Sequence, residues 1–193
     1  MISADEKSQL QALRRRHADL PPGPERPRRV EFDYRRGGTL AYFAALDVHR
    51  ATVLGRCAPS TGIAPFSDLV TQVMTQEPHA SARRVFWVVD NGSSHAGQGS
   101  VERMSQAWPS AQLVHLPVHA SWLNQIEIYF SIVQRKIITP TNVTDLAELE
   151  ARLQRFQTRY NATAGPFHWR YTAADLHAYL QRLAAHEPLT PAA

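Results

Sequence analysis

Val85-Phe86-Trp87-Val88-Val89-Asp90, followed by Asn91-Gly92-Ser93-Ser94-His95, is the stretch that decides the fold. Five apolar residues run without alternation and stop at an acid. A strand apolar on both sides is one covered on both faces, the signature of a parallel strand inside an α/β sheet. The small polar loop after Asp90 marks the carboxyl end of that strand, the edge where α/β sheets gather their ligands. An Asp there either opens into a site or caps the following turn.

Reading outward, Thr39–Val48 is a mostly buried strand and Ala51–Ala58 a second, joined by a short turn at Asp47–Arg50. Residues 63–76 space Phe66, Leu69, Val70, Val73 and Met74 as one helical face, ended by Pro78. Residues 101–108 read as a short helix and 112–117 as a strand stopped by Pro117. Ser121 is placed to cap a helix over 122–138 with Leu123, Ile126, Phe130, Val133 and Ile137 inward, and Trp122 reads as the residue that seats it. Leu146, Leu149, Leu153, Phe156 and Tyr160 define another helix, and Leu176, Tyr179, Leu180 and Leu183 a last one. Residues 1–5 read as the end of a strand. Residues 8–36, with Pro21, Pro22, Pro24 and Pro27, read as a basic Pro/Arg-rich connector closed by Gly37-Gly38. Strands first, then strands alternating with helices, predict an α/β fold: a mixed sheet flanked by helices, in the order of a ribonuclease H-like domain. One domain over 1–185 with a frayed tail at 186–193 accounts for all 193 residues.

Composition narrows the function. No apolar run is long enough to span a bilayer, and the first residues lack the apolar core of a secretory signal, so a cytoplasmic location without membrane partners is expected. A single cysteine, Cys57, excludes an internal disulfide and a cysteine-rich zinc site. The net charge is +4, and residues 1–36 hold nine basic against six acidic residues. Nineteen of the 21 basic residues are Arg, the fork that suits phosphate, so a polyanion partner is plausible on charge and not demanded by it.

Glu127 lies on or beside the apolar stripe of its helix, flanked by Leu123, Ile126 and Phe130, with Asn124 nearby to orient it. A carboxylate pressed to a core is paired, protonated or metal-bound, whereas one at the stripe's edge simply reaches water. For a third acid the residues leave Asp5, Asp33 and Asp47. Asp47 ends an antiparallel neighbour and so falls at the far edge from Asp90, which favours Asp5.

Asp5-Glu6-Lys7, Tyr34-Arg35-Arg36-Gly37-Gly38-Thr39, Phe43–Val48, Asp90-Asn91 with His95, and above all His119-Ala120-Ser121-Trp122-Leu123-Asn124-Gln125-Ile126-Glu127 resemble bacterial insertion-sequence DDE transposases of the mariner-related superfamily. Gln134-Arg135-Lys136, Tyr160-Asn161, Pro166-Phe167, Trp169 and Thr172 extend the resemblance along nearly the whole chain. Thirty-six residues separate Asp90 from Glu127, enough for the strand and crossover that must intervene.

The resemblance implies a ribonuclease H-like fold and a catalytic triad of Asp5, Asp90 and Glu127 holding two Mg²⁺ or Mn²⁺ ions for phosphoryl transfer on DNA. It implies nicking at transposon ends, joining to TA-containing target DNA, a homodimer on double-stranded DNA and a nucleoid-associated protein. Asn91, His95, His119 and Asn124 are candidates to support the acids or touch DNA. Arg35, Arg36, Arg135 and Lys136 are candidates for phosphate contacts. The family carries N-terminal helix-turn-helix domains, while only Met1-Ile2-Ser3-Ala4 precede Asp5, so the expectation is a catalytic half with a truncated first strand. The competing expectations are a non-catalytic remnant that binds DNA or full-length transposase, and a stand-alone ribonuclease H-like nuclease.

Overall fold

Two apolar surfaces, one on each face of a single sheet, organise the chain. The computed structural model describes residues 1–118, 120–139, 142–167 and 172–186. Its strands are β1 (Ile2–Arg15), β2 (Tyr34–Asp47), β3 (Thr52–Ala58), β4 (Val85–Val89) and β5 (Ala111–His115), in the spatial order β3-β2-β1-β4-β5. β1, β4 and β5 run parallel, and β2 is antiparallel to both of its neighbours. The sheet is therefore the mixed one expected, flanked by helices and ribonuclease H-like in its order.

On one face α1 (Ile63–Met74) and α2 (Gly97–Ala107) bury Phe66, Leu69, Val70, Val73, Met74 and Met104 against Ile2, Ala4, Phe43 and Trp87. On the other, α3 (Ile126–Val133) and α4 (Leu146–Thr163) bury Ile126, Tyr129, Phe130, Val133, Leu149 and Leu153 against Tyr42, Ala44, Leu46 and Val53. Asp145 caps α4 by accepting from the Glu148 amide, while Glu148 reaches back to the Thr144 amide, so both orphan donors are satisfied. Asn161 ties α4 to the sheet by bonding both the amide and the carbonyl of Val53, each at 2.8 Å. A last helix, α5 (Ala173–His186), follows. Trp169 and tail residues 187–193 lie outside the described residues.

Three sequence expectations are corrected. First, β1 does not stop near Asp5, and residues 8–36 are not a connector. β1 runs 14 residues and pairs with an equally long β2. Beyond them the ribbon continues through Leu20–Arg29 and Gly23–Arg26 bridges to a two-residue turn at Pro24-Glu25. The Leu20 and Gly23 bridges carry the ladder hydrogen bonds, so Pro21, Pro22 and Pro27 fall between bonded positions, where a missing N–H costs nothing. Residues 14–36 thus form a two-stranded arm, and β1 is a full strand between β2 and β4, not a truncated one.

Second, Gly37-Gly38 sits inside β2. A Cβ on Gly37 would lie 3.0 Å from the Thr144 carbonyl oxygen, and Gly38 adopts φ 108° beside Leu146. The pair lets the entrance of α4 cross the base of the arm closely. Third, Ser121 does not cap a helix over 122–138. Ser121–Leu123 is a short 3₁₀ turn, α3 begins after Gln125, and Gln134–Ile138 is a π-helical turn.

Candidate active site

The acids meet because β1 and β4 are parallel and adjacent. The register pairs Ile2 with Trp87 and Ser3 with Val88, so continuing it two residues brings Asp5 level with Asp90. Oxygens of Asp5 and Asp90 and a ring nitrogen of His95 all lie within 4.8 Å of one another.

Asp5 is 6% exposed. It accepts from the Glu6 amide at 2.8 Å and from Asn124 Nδ2 at 3.4 Å. Burial pushes its carboxyl up to about 7, and the charges of Asp90, Glu6 and Glu127 push the same way against the Glu6 amide.

Asp90 closes β4 and is held through one oxygen. Its Oδ1 accepts from the Gly92 amide at 2.7 Å and from His95 Nε2 at 2.8 Å. A Cβ on Gly92 would sit 2.9 Å from that same oxygen, so the tight loop needs glycine for its close approach. His95 is fully buried, packed on the Phe66 ring at 4.9 Å, and its carbonyl accepts from His115 Nε2 at 2.7 Å. Ser94 donates to Glu6 Oε1 at 2.7 Å, while Glu6 Oε2 and His95 Nδ1 are buried without partners, 3.8 Å apart.

Glu127 sits in the first turn of α3, exposed, outside the tight cluster. Partial burial raises its carboxyl, with Lys7 opposing and Asp90 adding to the rise. α3 is fixed to β1 by Asn124, which is 1% exposed. Asn124 accepts from Ser3 Oγ in a short contact and donates to the Ala4 carbonyl at 3.0 Å, and Ser3 Oγ accepts from the Ile126 amide at 3.0 Å.

This donor set fits a hard divalent cation. Two carboxylates crowd together on a sheet edge, a third is electrostatically coupled to both, and Lys7 is the cation that acts on Glu127. Asp5 near 7 is what crowded negative charge in a half-dry site produces.

The family model of the DDE superfamily endonucleases matches residues 1–150. This chain belongs to that family. No curated protein matches it. Among solved structures the DDE endonuclease resembles the pre-cleavage Mos1 transpososome at TM-score 0.61 and 12% identity, over 95% of this chain and 55% of that one. It resembles the Mos1 mariner paired-end complex with Mn at TM-score 0.55 and 12% identity, over 86% of this chain and 48% of that one. The catalytic core domain of BIV integrase matches at TM-score 0.50 and 12% identity, over 77% of this chain and 90% of that one. At such identities the likeness is one of fold. The chain spans about half the length of the two transposase chains.

Of the three alternatives for the third acid, the DDE endonuclease brings only Asp5 to Asp90. Asp47 pairs in register with Ile2 at the opposite edge, and Asp33 lies on the arm, 3.1 Å from Arg16. Asn91 does not face the acids through its amide; its Nδ2 donates to the Leu116 carbonyl at 2.8 Å and ties the β4 and β5 loops together. His119 lies outside the described residues. Arg135 and Lys136 are exposed on the π-helical turn, and Arg35 and Arg36 lie far out on β2, exposed. Trp122 does not seat the helix: it is 72% exposed, and Leu123 is 44% exposed, because the 3₁₀ turn breaks the helical phase that would bury them. Ser3, Lys7, Glu6, Gly92 and His115 escaped the sequence reading as site residues. Period two from Asp5 puts Ser3 and Lys7 on its face, a signal the sequence did carry.

Proposed function

We propose that this DDE endonuclease is a DNA transposase catalytic domain that nicks and joins phosphodiesters, with Asp5, Asp90 and Glu127 as the metal-binding acids. The observation that carries the reading is the meeting of Asp5 and Asp90 at one sheet edge, with Glu127 coupled to both, in a member of this family. When bound, two Mg²⁺ or Mn²⁺ ions would activate the attacking oxygen and stabilise the leaving 3′-oxygen of an in-line displacement.

The residues divide the remaining work. Asp5, buried, presents its carboxylate from a strand that cannot move without breaking the sheet. Asp90 keeps Oδ1 on Gly92 and His95, which leaves Oδ2 to face a ligand. His95, donating from Nε2, holds that carboxylate's rotamer and shields it from water on the α1 side. Glu127, the accessible acid, is the one able to adjust as nucleic acid enters. Asn124 fixes its helix to the strand that bears Asp5. Arg135 and Lys136, two turns beyond Glu127, are placed for DNA phosphates.

The partner in this reading is double-stranded DNA: transposon ends and a TA-containing target, engaged by a homodimer, with end recognition supplied by a DNA-reading segment. The titles of two structural neighbours describe assemblies of transposase with transposon ends, one with Mn, which supports the reading.

The test is conversion of supercoiled plasmid carrying transposon ends to nicked circle, with Mg²⁺ or Mn²⁺ and with chelator. Nicking at the ends that requires the ion and is lost in Asp90→Asn is the expected result. Nicking without end preference would indicate a general nuclease. No nicking and no Mn²⁺ binding by a folded protein would indicate a non-catalytic remnant.

A further inference from the structure

The arm accounts for the net charge of the protein. Residues 14–36 hold eight arginines against four acids, and the remaining residues hold thirteen basic and thirteen acidic side chains. The catalytic body is neutral and the arm carries +4.

Two of the arm's acids are already committed. Asp19 pairs with Arg28 at 2.7 Å and Asp33 with Arg16 at 3.1 Å. Among the described residues Arg14, Arg15, Arg29, Arg35 and Arg36 have no ion pair. Arg14 and Arg35 are direct cross-strand partners, so two guanidinium groups project from the same face of a two-stranded ribbon. Like charges directly opposite each other destabilise a strand pair. Arg14, Arg15, Arg16, His17 and Arg35 together line one concavity, with no carboxylate among its lining residues. A cross-strand arginine pair in a cationic hollow is a built anion site, because an anion between the strands turns the repulsion into two charge-assisted bonds.

Position says which anion. β1 passes Asp5 at the acids' edge of the sheet and runs on into the arm, which is anchored at its base by Arg15 N–H to Asn142 Oδ1 and by Val143 N–H to the Leu13 carbonyl, both 2.9 Å. Nine residues of strand separate Asp5 from Arg14, about 30 Å of contour at ~3.3 Å per residue. At ~3.4 Å per base pair, that span matches about nine base pairs of duplex, a little under one helical turn.

We propose that the Arg14–Arg35 hollow grips duplex DNA phosphates about one helical turn from the phosphate at the acids, so that the arm sets the path of the duplex across the site. This rests on the reading of the acids as a DNA-cleaving centre and adds to it a second contact with a fixed spacing. The exposed apolar residues of the arm, Phe32 at 87% and Val30 at 48%, offer a second copy of this chain as the rival partner.

The experiment measures binding without cleavage. The full chain carrying Asp90→Asn is titrated in chelator with fluorescent duplexes between 50 and 200 mM salt, with and without Arg14→Ala/Arg35→Ala. For a duplex of about 30 base pairs, the double variant is expected to bind about tenfold more weakly, and the slope of log K against log salt to shrink by about 2. For a duplex of about 8 base pairs, too short to span both contacts, parent and variant are expected to bind alike. Arg14→Lys/Arg35→Lys should restore the slope. Thermal stability should not fall in the alanine variant, since a repulsive pair is removed.

An unchanged slope on the long duplex overturns the proposal. So does equal weakening on both duplexes, which means no spacing. Loss of self-association in sedimentation with DNA affinity per subunit unchanged also overturns it and assigns the arm to a second copy. Nicking by the parent is scored separately: nicking with an unchanged slope sinks only the arm contact, and a reduced slope without nicking sinks only the catalytic reading.

Discussion

Asp5 and Asp47 are carboxylates buried to nearly the same degree, 6% and 4% exposed, at opposite edges of one sheet. Their surroundings differ in kind. Asp47 Oδ1 accepts from the amides of His49 and Arg50, and its Oδ2 lies 3.4 Å from His79 Nε2. Burial holds His79 below the usual histidine range although Asp47 pulls it up. Asp47 is thus a completed polar joint that ties the β2–β3 turn to the segment after α1. Asp5 has one good donor and three acidic neighbours. Burial alone does not make a site; a buried charge whose neighbours share its sign does.

The comparison breaks most visibly in activity. Asp5→Asn and Asp90→Asn should each lower ion-dependent nicking by on the order of 10³-fold, about 4 kcal/mol of barrier. Asp47→Asn should leave the rate per folded molecule nearly unchanged and instead cost about 1–3 kcal/mol of stability, read by urea denaturation. A comparable loss of nicking in Asp47→Asn would erase the distinction.

Stability against pH sharpens it. Asp5 sits near 7 in the folded chain against 3.8 for a free aspartate, so the folded state holds the proton more tightly. Its contribution is therefore fully present below about pH 4 and is lost as pH rises through about 7. Without divalent ions, Asp5→Asn should be more stable than the parent at pH 8, by on the order of 2–4 kcal/mol, and should converge with it near pH 4. Added Mg²⁺ should narrow that gap by stabilising the parent at pH 8. Equal urea midpoints for parent and variant at pH 8 would remove Asp5 as a destabilising charge.

A smaller effect tests the support of Asp90. Gly92→Ala places a methyl against Asp90 Oδ1, and Mn²⁺ affinity by calorimetry should fall about 10- to 100-fold, the range for groups that orient ligands. The smallest effect separates the exposed and buried sides of the segment before Glu127. Trp122→Ala should change stability by less than about 0.5 kcal/mol, while Ile126→Ala, fully buried, should cost about 2–5 kcal/mol.

How far the sequence reached differs by element. The unbroken run Val85–Val89 announced a buried parallel strand, and the 3,4 spacing of Leu146, Leu149 and Leu153 announced α4. In both, every residue of one face meets the same core. β1 was legible only to Asp5, because Glu6 and Ser8 interrupt its apolar positions. The structure shows why the rest did not read as strand. Lys7 pairs with Tyr42 and Leu10 with Leu40, so β1 carries one extra residue, with Gln9 at φ 55°. That bulge turns the even positions from the α1 face, where Ile2 and Ala4 lie, to the α4 face, where Leu10 and Ala12 lie. No local pattern encodes such a switch. Trp122 failed for a related reason: three residues of 3₁₀ turn shift the phase on which its burial was argued.

By itself the sequence determined the family, the sheet's parallel core and the acids to consider, because apolar periodicity and motif spacing are local properties of the chain. Only the tertiary structure decided which carboxylates share a site and that the proline-rich segment is an arm. Both depend on register between strands far apart in sequence, and register is fixed by pairing and packing, not by the residues of one strand.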